Sequence, residues 1–355
     1  MWKLPLLAVT LFSLSVSFAA PAPSFTIGWS VYVGWNPYQY LARSGILKKW
    51  ADKYGVSIKV QRFDYAPSLD AFVAKNIDAC TMTNMEALDM PAAAGVDTTA
   101  VIVGDYSNGN DAVLVRHNLQ LAQIPGKRVL LVQKTVSQYL FERAMALNNL
   151  AGELKRVKYV NTSDSDIAGA FLSDSSQDVV VTWKPLVSQI LKGKGIASIF
   201  DSSRIPGEIL DLLVVRTEVL NRPDGSGQRF VKAVAGAWYE LTAQMAKPGP
   251  ESDKILAAIA SASEDTLASY KEQLSTTHMF FTPQSSLEMG ASPALKKTME
   301  SVRQFCFLHG LLGEKTGSVD DVAVRFPDGS VEGKSDRVRL RFDTSYMKLA
   351  AGGQL

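Results

Sequence analysis

Hydrophobic and polar positions follow two different periods along the first half of the chain, which predicts strands separated by helices. Apolar or alternating runs with the period of a strand span residues 25–29, 56–63, 78–82, 127–132, 157–160 and 178–182. The segments 38–54 and 138–150 instead place apolar residues three and four positions apart, as one face of a helix does. Strands that alternate with helices predict an α/β fold with mostly parallel sheets flanked by helices.

One stretch, Val101–Asp111, interrupts this alternation. Three β-branched residues end a strand, and all but Tyr106 of the following eight residues are Gly, Ser, Asn or Asp. Because these residue types release the backbone into turns, we interpret the stretch as a hinge between two lobes. The apolar run 208–215 predicts a second crossing back into the first lobe.

The two crossings predict the domain organisation. Lobe 1 would begin with residues 21–105, lobe 2 would span 106–208, and residues 209–355 would return to lobe 1 and add a helical C-terminal extension. Helical spacing in this last part covers residues 230–245, 253–261, 264–273, 285–288 and 295–310. A polar, turn-rich segment over 317–335 precedes a final helix over 343–350.

The first 20 residues have the pattern of a secretory signal peptide. Lys3 supplies the positive start, residues 4–16 form an apolar run, and Ser17-Phe18-Ala19 is a small-residue cleavage site before Ala20. The cleavage site has no nearby Cys for an acyl anchor, and no later window approaches the ~20 apolar residues of a membrane helix. We therefore expect a soluble periplasmic protein without a lipid anchor.

Composition and charge exclude some classes of function. With 46% hydrophobic residues in 355, the chain can bury a large core. Its 37 Lys and Arg balance 35 Asp and Glu without a basic cluster, which disfavours nucleic-acid binding.

Cys80 and Cys306 are far apart in sequence; buried free thiols are favoured, although export permits a disulfide. The three His residues lack the spacing of a zinc site, so no metal and no cofactor are expected.

The candidate binding site follows from the predicted fold. In α/β lobes the carboxyl ends of strands and the following helix N-termini face a crevice, where small ligands bind. This placement selects twelve candidate ligand-binding residues, which are Trp29, Tyr32, Trp35, Asn36, Thr83, Asn84, Glu86, Asp105, Asn108, Ser137, Asp164 and Trp183. The ranges 108–111 and 135–138 should border the same volume.

Several of these residues also have purely structural interpretations. Trp35 and Trp183 could be core aromatics, and Asn84 and Ser137 could be helix caps. Asp164 also has the position of a cap, and Asp105 that of a turn residue. The alternatives remain open at this point.

The predicted crevice is rich in acidic and aromatic residues. Only Lys134 and Lys184 are available there to attract an oxyanion such as nitrate or a sulfonate. Carboxylates, amide oxygens and Trp faces suit a compact nitrogenous donor such as urea or a cation such as guanidinium. The crevice composition therefore favours a nitrogenous solute.

Several strings of the chain carry a resemblance to a known family. The order of residues 27–29, 42–46, 78–84 and 205–208 resembles the nitrate/sulfonate/taurine class of ABC-transporter substrate-binding proteins. Longer strings resemble the solute-binding proteins associated with urea carboxylase, at residues 33–35, 81–85, 95–99, 103–111, 276–279 and 345–350. The resemblance implies a periplasmic binding protein of the type II fold. It would deliver urea, guanidine or a related amide to a membrane permease and, through it, to ATPase subunits.

Two alternatives remain. The ligand could be nitrate, a sulfonate such as taurine, or a pyrimidine-like compound, and the chain could be an exported enzyme on the same scaffold. An enzyme needs an activated nucleophile or a metal cluster, and the sequence offers no Ser/His/Asp order and no Gly-x-Ser-x-Gly. We therefore expect a monomeric binding protein without catalytic activity.

Overall fold

The buried β-branched runs form the strands of two sheets in the computed structural model, which describes residues 21–313 and 316–355. The described strands are β1 (Ser24–Trp29), β2 (Ser57–Arg62), β3 (Ala79–Thr83), β4 (Thr98–Ser107), β5 (Asp111–Arg116), β6 (Arg128–Leu131), β7 (Lys158–Asn161), β8 (Val179–Trp183), β9 (Ile196–Asp201), β10 (Leu210–Arg216), β11 (Thr277–Met279), β12 (Ala323–Arg325), β13 (Val331–Glu332) and β14 (Val338–Phe342). The larger sheet has the order β13-β12-β14-β4-β10-β3-β1-β2, and β11 pairs with the far end of β4. The smaller sheet has the order β7-β6-β8-β5-β9.

Helices cover both sheets, as the apolar spacing predicts. They are α1 (Pro37–Ser44), α2 (Ile46–Tyr54), α3 (Tyr65–Val73), α4 (Asn84–Ala87), α5 (Val136–Leu147), α6 (Asp164–Ser173), α7 (Leu186–Ile190), α8 (Thr217–Leu220), α9 (Ser226–Met245), α10 (Pro250–Ala262), α11 (Leu267–Ser275), α12 (Pro283–Gly290), α13 (Pro293–Leu308) and α14 (Ser345–Ala351). Most of the long helix α9 is buried, and its Phe230 ring stacks on Phe25 of β1 with centroids 4.5 Å apart. The predicted α/β fold class with a helical C-terminal region is confirmed.

The backbone passes between the sheets twice. Residues 108–110 lead from β4 to β5, and residues 202–209 lead from β9 to β10. The first strand after each crossing is antiparallel to a neighbour in its new sheet. β5 is antiparallel to β8, and β10 is antiparallel to β3. Both sheets are therefore mixed, with parallel pairs such as β1–β2 and β6–β7 beside antiparallel ones. The predicted lobe boundaries stay a prediction, because sheet membership does not establish which parts move as bodies.

The predicted hinge is too long. Strand β4 continues through Gly104 and Asp105 to Ser107, and only residues 108–110 leave the sheet. Asp105 lies opposite Asp211 of β10 and opposite Met279 of β11. These partners come from distant parts of the chain, and their hydrogen bonds override the local turn preference of the segment.

The predicted turn-rich segment 317–335 contains two strands. β12 and β13 form an antiparallel pair around the turn at Pro327–Gly329, and β14 follows beside β12. Val324 of β12 and Leu340 of β14 are fully buried. Strands of two to five residues are too short for their period to stand out among turn residues.

The predicted signal peptide, residues 1–20, lies outside the described residues. Over the part of the chain that is described, no helix is both long and apolar enough to cross a membrane. Cys80 on β3 and Cys306 on α13 are buried and free.

Candidate functional site

A cavity with about 270 Å³ of empty space, part of which is open to solvent, lies where the strand ends of the two sheets meet. Its lining comes from both sheets and consists of Tyr32, Trp35, Tyr65, Thr83, Asp111, Val136, Trp183, Ile209 and Asp211. Four of these nine residues end a strand or begin a helix, namely Tyr65, Thr83, Val136 and Trp183, and such positions are where binding sites of α/β proteins are usually found.

Aromatic rings form one wall of the cavity. The centroid of Trp35 lies 5.0 Å from that of Tyr32 and 5.3 Å from that of Tyr65. Tyr65 in turn meets Trp183, which ends a strand of the smaller sheet, edge to face at 5.8 Å. The ring N–H of Trp35 is buried without a hydrogen-bond partner among the described residues. The wall thus spans both sheets and offers flat π faces to the cavity.

Three buried aspartates lie at the cavity or directly behind its lining. Asp105 on β4 and Asp211 on β10 face each other across the strand pair, and the Tyr32 hydroxyl donates to Asp105 Oδ1 at 3.1 Å. Asp111, the first residue of β5, accepts a 2.5 Å hydrogen bond from Ser107 Oγ. Asp211 and Asp111 both line the cavity and are its two acidic lining residues.

Burial raises the pKa of all three aspartates. Loss of solvation raises the pKa of Asp105 to about 7, against hydrogen bonds from Asp211 and Tyr32 that lower it. Burial likewise raises the pKa of Asp111 to about 7, while the Ser107 hydrogen bond lowers it. The pKa of Asp211 lies well above its usual range because of burial and the charge of Asp105.

Glu86 connects the two halves of the site. Its carboxylate is hydrogen-bonded to Thr83 Oγ1 and to the Tyr65 hydroxyl, and it accepts a 2.8 Å hydrogen bond from the backbone N–H of Val136 at the start of α5. Burial raises the pKa of Glu86, and these hydrogen bonds lower it. A carboxylate at a helix N-terminus is favourable, so Glu86 ties α4 to α5 across the cavity.

The cavity has no cationic lining. None of the described residues that border it is Lys or Arg. The side chain of Lys184, next to Trp183, is turned to Glu272, with which it forms an ion pair. Lys134 acts electrostatically on Asp89, a buried carboxyl behind Glu86. The electrostatic surroundings of the cavity are therefore acidic.

Gly34 allows this compact arrangement. A Cβ at position 34 would lie 2.1 Å from Asp105 Oδ2 and 2.8 Å from its Cγ. Only glycine lets the segment after β1 approach this carboxyl closely enough for Tyr32 to reach it.

The structure brings half of the twelve predicted residues to the cavity or directly behind it. Tyr32, Trp35, Thr83 and Trp183 line it. Asp105 and Glu86 lie behind the lining and hydrogen-bond to lining residues, Asp105 to Tyr32 and Glu86 to Thr83. Whether they contact a ligand stays a prediction.

The other six occupy different positions. Trp29 is a core residue of β1, and Asn36 precedes α1 without a capping hydrogen bond from its side chain. Asn108 lies in the first crossing. Ser137 Oγ is buried in α5 and has no hydrogen-bond partner in the described part of the chain. None of these four borders the cavity.

The last two, Asn84 and Asp164, connect other parts of the molecule. Asn84 Nδ2 donates to the backbone oxygen of Glu208 at 3.1 Å, and Asn84 Oδ1 accepts from the N–H of Leu210 at 3.0 Å, so it fastens the second crossing. Asp164 accepts a 3.3 Å hydrogen bond from the N–H of Tyr65 and borders an outer chamber of about 610 Å³ that shares Trp183 with the inner cavity. The helix caps are Thr83, Thr135 and Ser163 by position, so the predicted capping roles of Asn84, Ser137 and Asp164 are wrong.

The prediction missed three lining residues. Tyr65 begins a helix directly after a strand, the same position that identified Trp35 and Trp183, so this signal could have found it. Asp211 is an acidic residue inside the apolar run of β10. Acidic side chains are rarely buried without a partner, so this position was a sequence signal for a functional residue. Ile209 offers no such signal.

No family model matches the chain, and a search of the curated proteins found no match. Solved structures do resemble it. The alkanesulfonate-binding protein SsuA from Xanthomonas axonopodis pv. citri, bound to MOPS, is 16% identical with a TM-score of 0.65, over 83% of this chain and 96% of that chain. A periplasmic sulfonate-binding protein SsuA from Methylobacillus flagellatus KT is 12% identical with a TM-score of 0.67, over 95% of this chain and 96% of that chain.

An enzyme is also similar. The desulfurization enzyme DSZB is 14% identical with a TM-score of 0.56, over 93% of this chain and all (100%) of that chain. At these identities the likeness concerns the arrangement of the backbone. The chain thus has the fold of periplasmic binding proteins.

Proposed function

We propose that the chain is the solute-binding protein of an ABC importer and that it captures a small nitrogenous cation of the guanidinium type. It would act in the periplasm as a monomer, after export through the predicted signal peptide, and deliver the solute to a permease and its ATPase subunits. The fold of the similar solved structures and a cavity enclosed by both sheets support this role.

The observation that carries the ligand class is the charge of the cavity. Its lining contains Asp111 and Asp211, Asp105 and Glu86 lie directly behind, and no Lys or Arg borders it among the described residues. A sulfonate about 4 Å from one carboxylate would be repelled by about 4 kcal/mol at an effective dielectric constant of about 20. The similar sulfonate-binding proteins are therefore a guide to the fold and not to the ligand of this chain.

A guanidinium ion matches both walls of the cavity. Its N–H groups can donate charge-assisted hydrogen bonds to the carboxylates, and its flat face can stack on Trp35 or Trp183. A desolvated cation over a Trp ring gains about 2 kcal/mol or more. Urea has the same planar shape and several of the same donors, but it lacks the charge, so we expect it to bind more weakly.

An enzyme on this scaffold is the alternative that DSZB raises. Burial raises the pKa of the Cys80 thiol to about 12, and neither Cys80 nor Cys306 borders the cavity. The described residues also contain no cluster of three or more His, Cys, Asp and Glu that could hold a metal ion. Nothing in the site thus favours thiol or metal catalysis.

Calorimetric titration of the purified protein with guanidinium, urea, methylammonium, nitrate, taurine and an alkanesulfonate tests the proposal. Guanidinium should bind stoichiometrically, remain chemically unchanged and raise the melting temperature at millimolar concentration, while the anions should not bind.

Asp111→Asn should lower the affinity for guanidinium by about 10-fold or more, which corresponds to the loss of a charge-assisted hydrogen bond, and the affinity for urea by less. Asp328→Asn, at an exposed ion pair with Lys296, is the matched control. Binding of a sulfonate but not of guanidinium would refute the proposed ligand class.

A further inference from the structure

Asp105 and Asp211 form a buried pair of carboxyl groups. They lie opposite each other on β4 and β10, and the two residues are 0% and 3% exposed. Tyr32 donates to Oδ1 of Asp105, but Oδ2 of each carboxyl has no hydrogen-bond partner among the described residues. One proton between them would satisfy both oxygens and remove a repulsion of about 4 kcal/mol at about 4 Å and an effective dielectric constant of about 20.

Among the described residues, no Lys or Arg is one of the groups that act most strongly on the pair. Those groups are neutral or acidic; they are Tyr32 before α1, Tyr38 on α1, Tyr65 on α3, Asp111 on β5 and Tyr270 on α11. His278 on β11 is exposed, and its imidazole ring stacks on the Tyr106 ring with centroids 4.6 Å apart. The pair can therefore be neutralised only by a proton or by a cation that enters the cavity.

We propose that the Asp105–Asp211 pair holds one proton while the cavity is empty and that the ligand cation takes its place, so that binding is an exchange of a cation for a proton. This inference rests on the proposed function. The O–H bond of the shared proton breaks, the proton passes to the buffer, and the cation enters beside two carboxylates. The pair carries one negative charge before the exchange, and pair plus ligand carry one negative charge after it.

Because the exchange conserves the buried net charge, Asp211 determines which ligands can bind. A monovalent cation leaves the net buried charge unchanged and so avoids the cost of burying an unpaired charge. Urea cannot displace the proton, because it supplies no positive charge to the second carboxylate. An anion adds to the charge that is already buried.

Calorimetric titration with guanidinium chloride in two buffers of different ionisation enthalpy measures the protons exchanged. Near neutral pH we expect the release of about one proton per guanidinium bound by the unaltered protein and by Asp111→Asn. Asp211→Asn should bind guanidinium with no proton release, because the amide already donates to Asp105. Proton release that persists in Asp211→Asn would overturn the assignment of the proton to the Asp105–Asp211 pair. Proton release that disappears in Asp111→Asn instead would also overturn it.

A second measurement examines the empty protein, in case Asp211→Asn does not bind. The infrared carbonyl stretch of a protonated carboxyl should be present in the unaltered protein at neutral pH, disappear when guanidinium is added, and be weaker in Asp211→Asn. A missing band overturns the inference. Saturable guanidinium binding without proton release refutes the exchange alone, whereas a complete lack of guanidinium binding refutes the proposed function and the exchange together.

Discussion

Replacing Gly34 by alanine is the most direct test of how the acidic site is packed. The added Cβ would lie 2.1 Å from Asp105 Oδ2, whereas close C···O contacts are about 3.3–3.6 Å. The carboxyl must therefore retreat by roughly 1.2 Å or more, although Tyr32 and Asp211 hold it in place. Overpacking of this kind costs about 1–3 kcal/mol of unfolding free energy.

The same displacement should weaken ligand binding. A charge-assisted hydrogen bond is worth about 1.5–3 kcal/mol, so misplacing Asp105 should lower guanidinium affinity by about 10- to 100-fold. Thermal unfolding in the absence of ligand measures stability, and calorimetric titration measures affinity. Gly104→Ala is the matched control, because its Cβ would meet Trp238 at an ordinary 3.4 Å. We expect it to change unfolding by no more than about 0.5 kcal/mol.

The double variant Gly34→Ala, Asp105→Ala separates this clash from a general effect of the substitution. If the Cβ acts by displacing the Asp105 carboxyl, adding Gly34→Ala to Asp105→Ala should cost much less than adding it to the unaltered protein. Equal costs in both backgrounds, or unchanged guanidinium affinity in Gly34→Ala, would refute the packing argument.

Two further outcomes follow from the pKa values of buried groups. The folded-state pKa of Asp105 and Asp111, about 7, exceeds the usual value, so the empty protein should lose stability as the pH rises from about 4 to about 7. Guanidinium affinity should rise with pH, by up to about tenfold per pH unit, for as long as the Asp105–Asp211 pair of the empty protein keeps its proton. Urea affinity should not change with pH, and a guanidinium affinity that falls as the pH rises would contradict the charge assignment. Burial raises the pKa of Cys80 to about 12 and that of Cys306 well above its usual range. An alkylating reagent followed by mass spectrometry should therefore label neither thiol until the protein is unfolded, and rapid labelling in the folded state would contradict their burial.

The sequence predicted the fold class well because the signals for it are long. Helices such as α5, with 12 residues, and α9, with 20, repeat their apolar spacing over several turns. The short strands β12 and β13 carry no such repeat, and their pairing depends on β14 and β4, which are distant in sequence. Long-range pairing of this kind has no local sequence signal.

The acidic character of the site was predictable, but its arrangement was not. Asp105 stood out as an acidic residue next to a buried strand, yet the sequence indicated a turn where the structure has a strand. Its partner Asp211 is 106 positions further on and becomes a neighbour only because β10 returns beside β4. The alternation of apolar and polar residues identifies a strand but does not say which strands become adjacent.

The interleaved order of the larger sheet bears on how the chain reaches its folded state. Strand β4 is flanked by β10 and β14, so its neighbours are supplied about 110 and 240 residues later, whereas the smaller sheet uses one uninterrupted stretch from β5 to β9. The continuous sheet can assemble early, while the discontinuous one must wait for the C-terminal strands and close a long loop. The larger sheet of such a chain therefore stays incomplete until the C-terminal strand β14 is available to pair with β4.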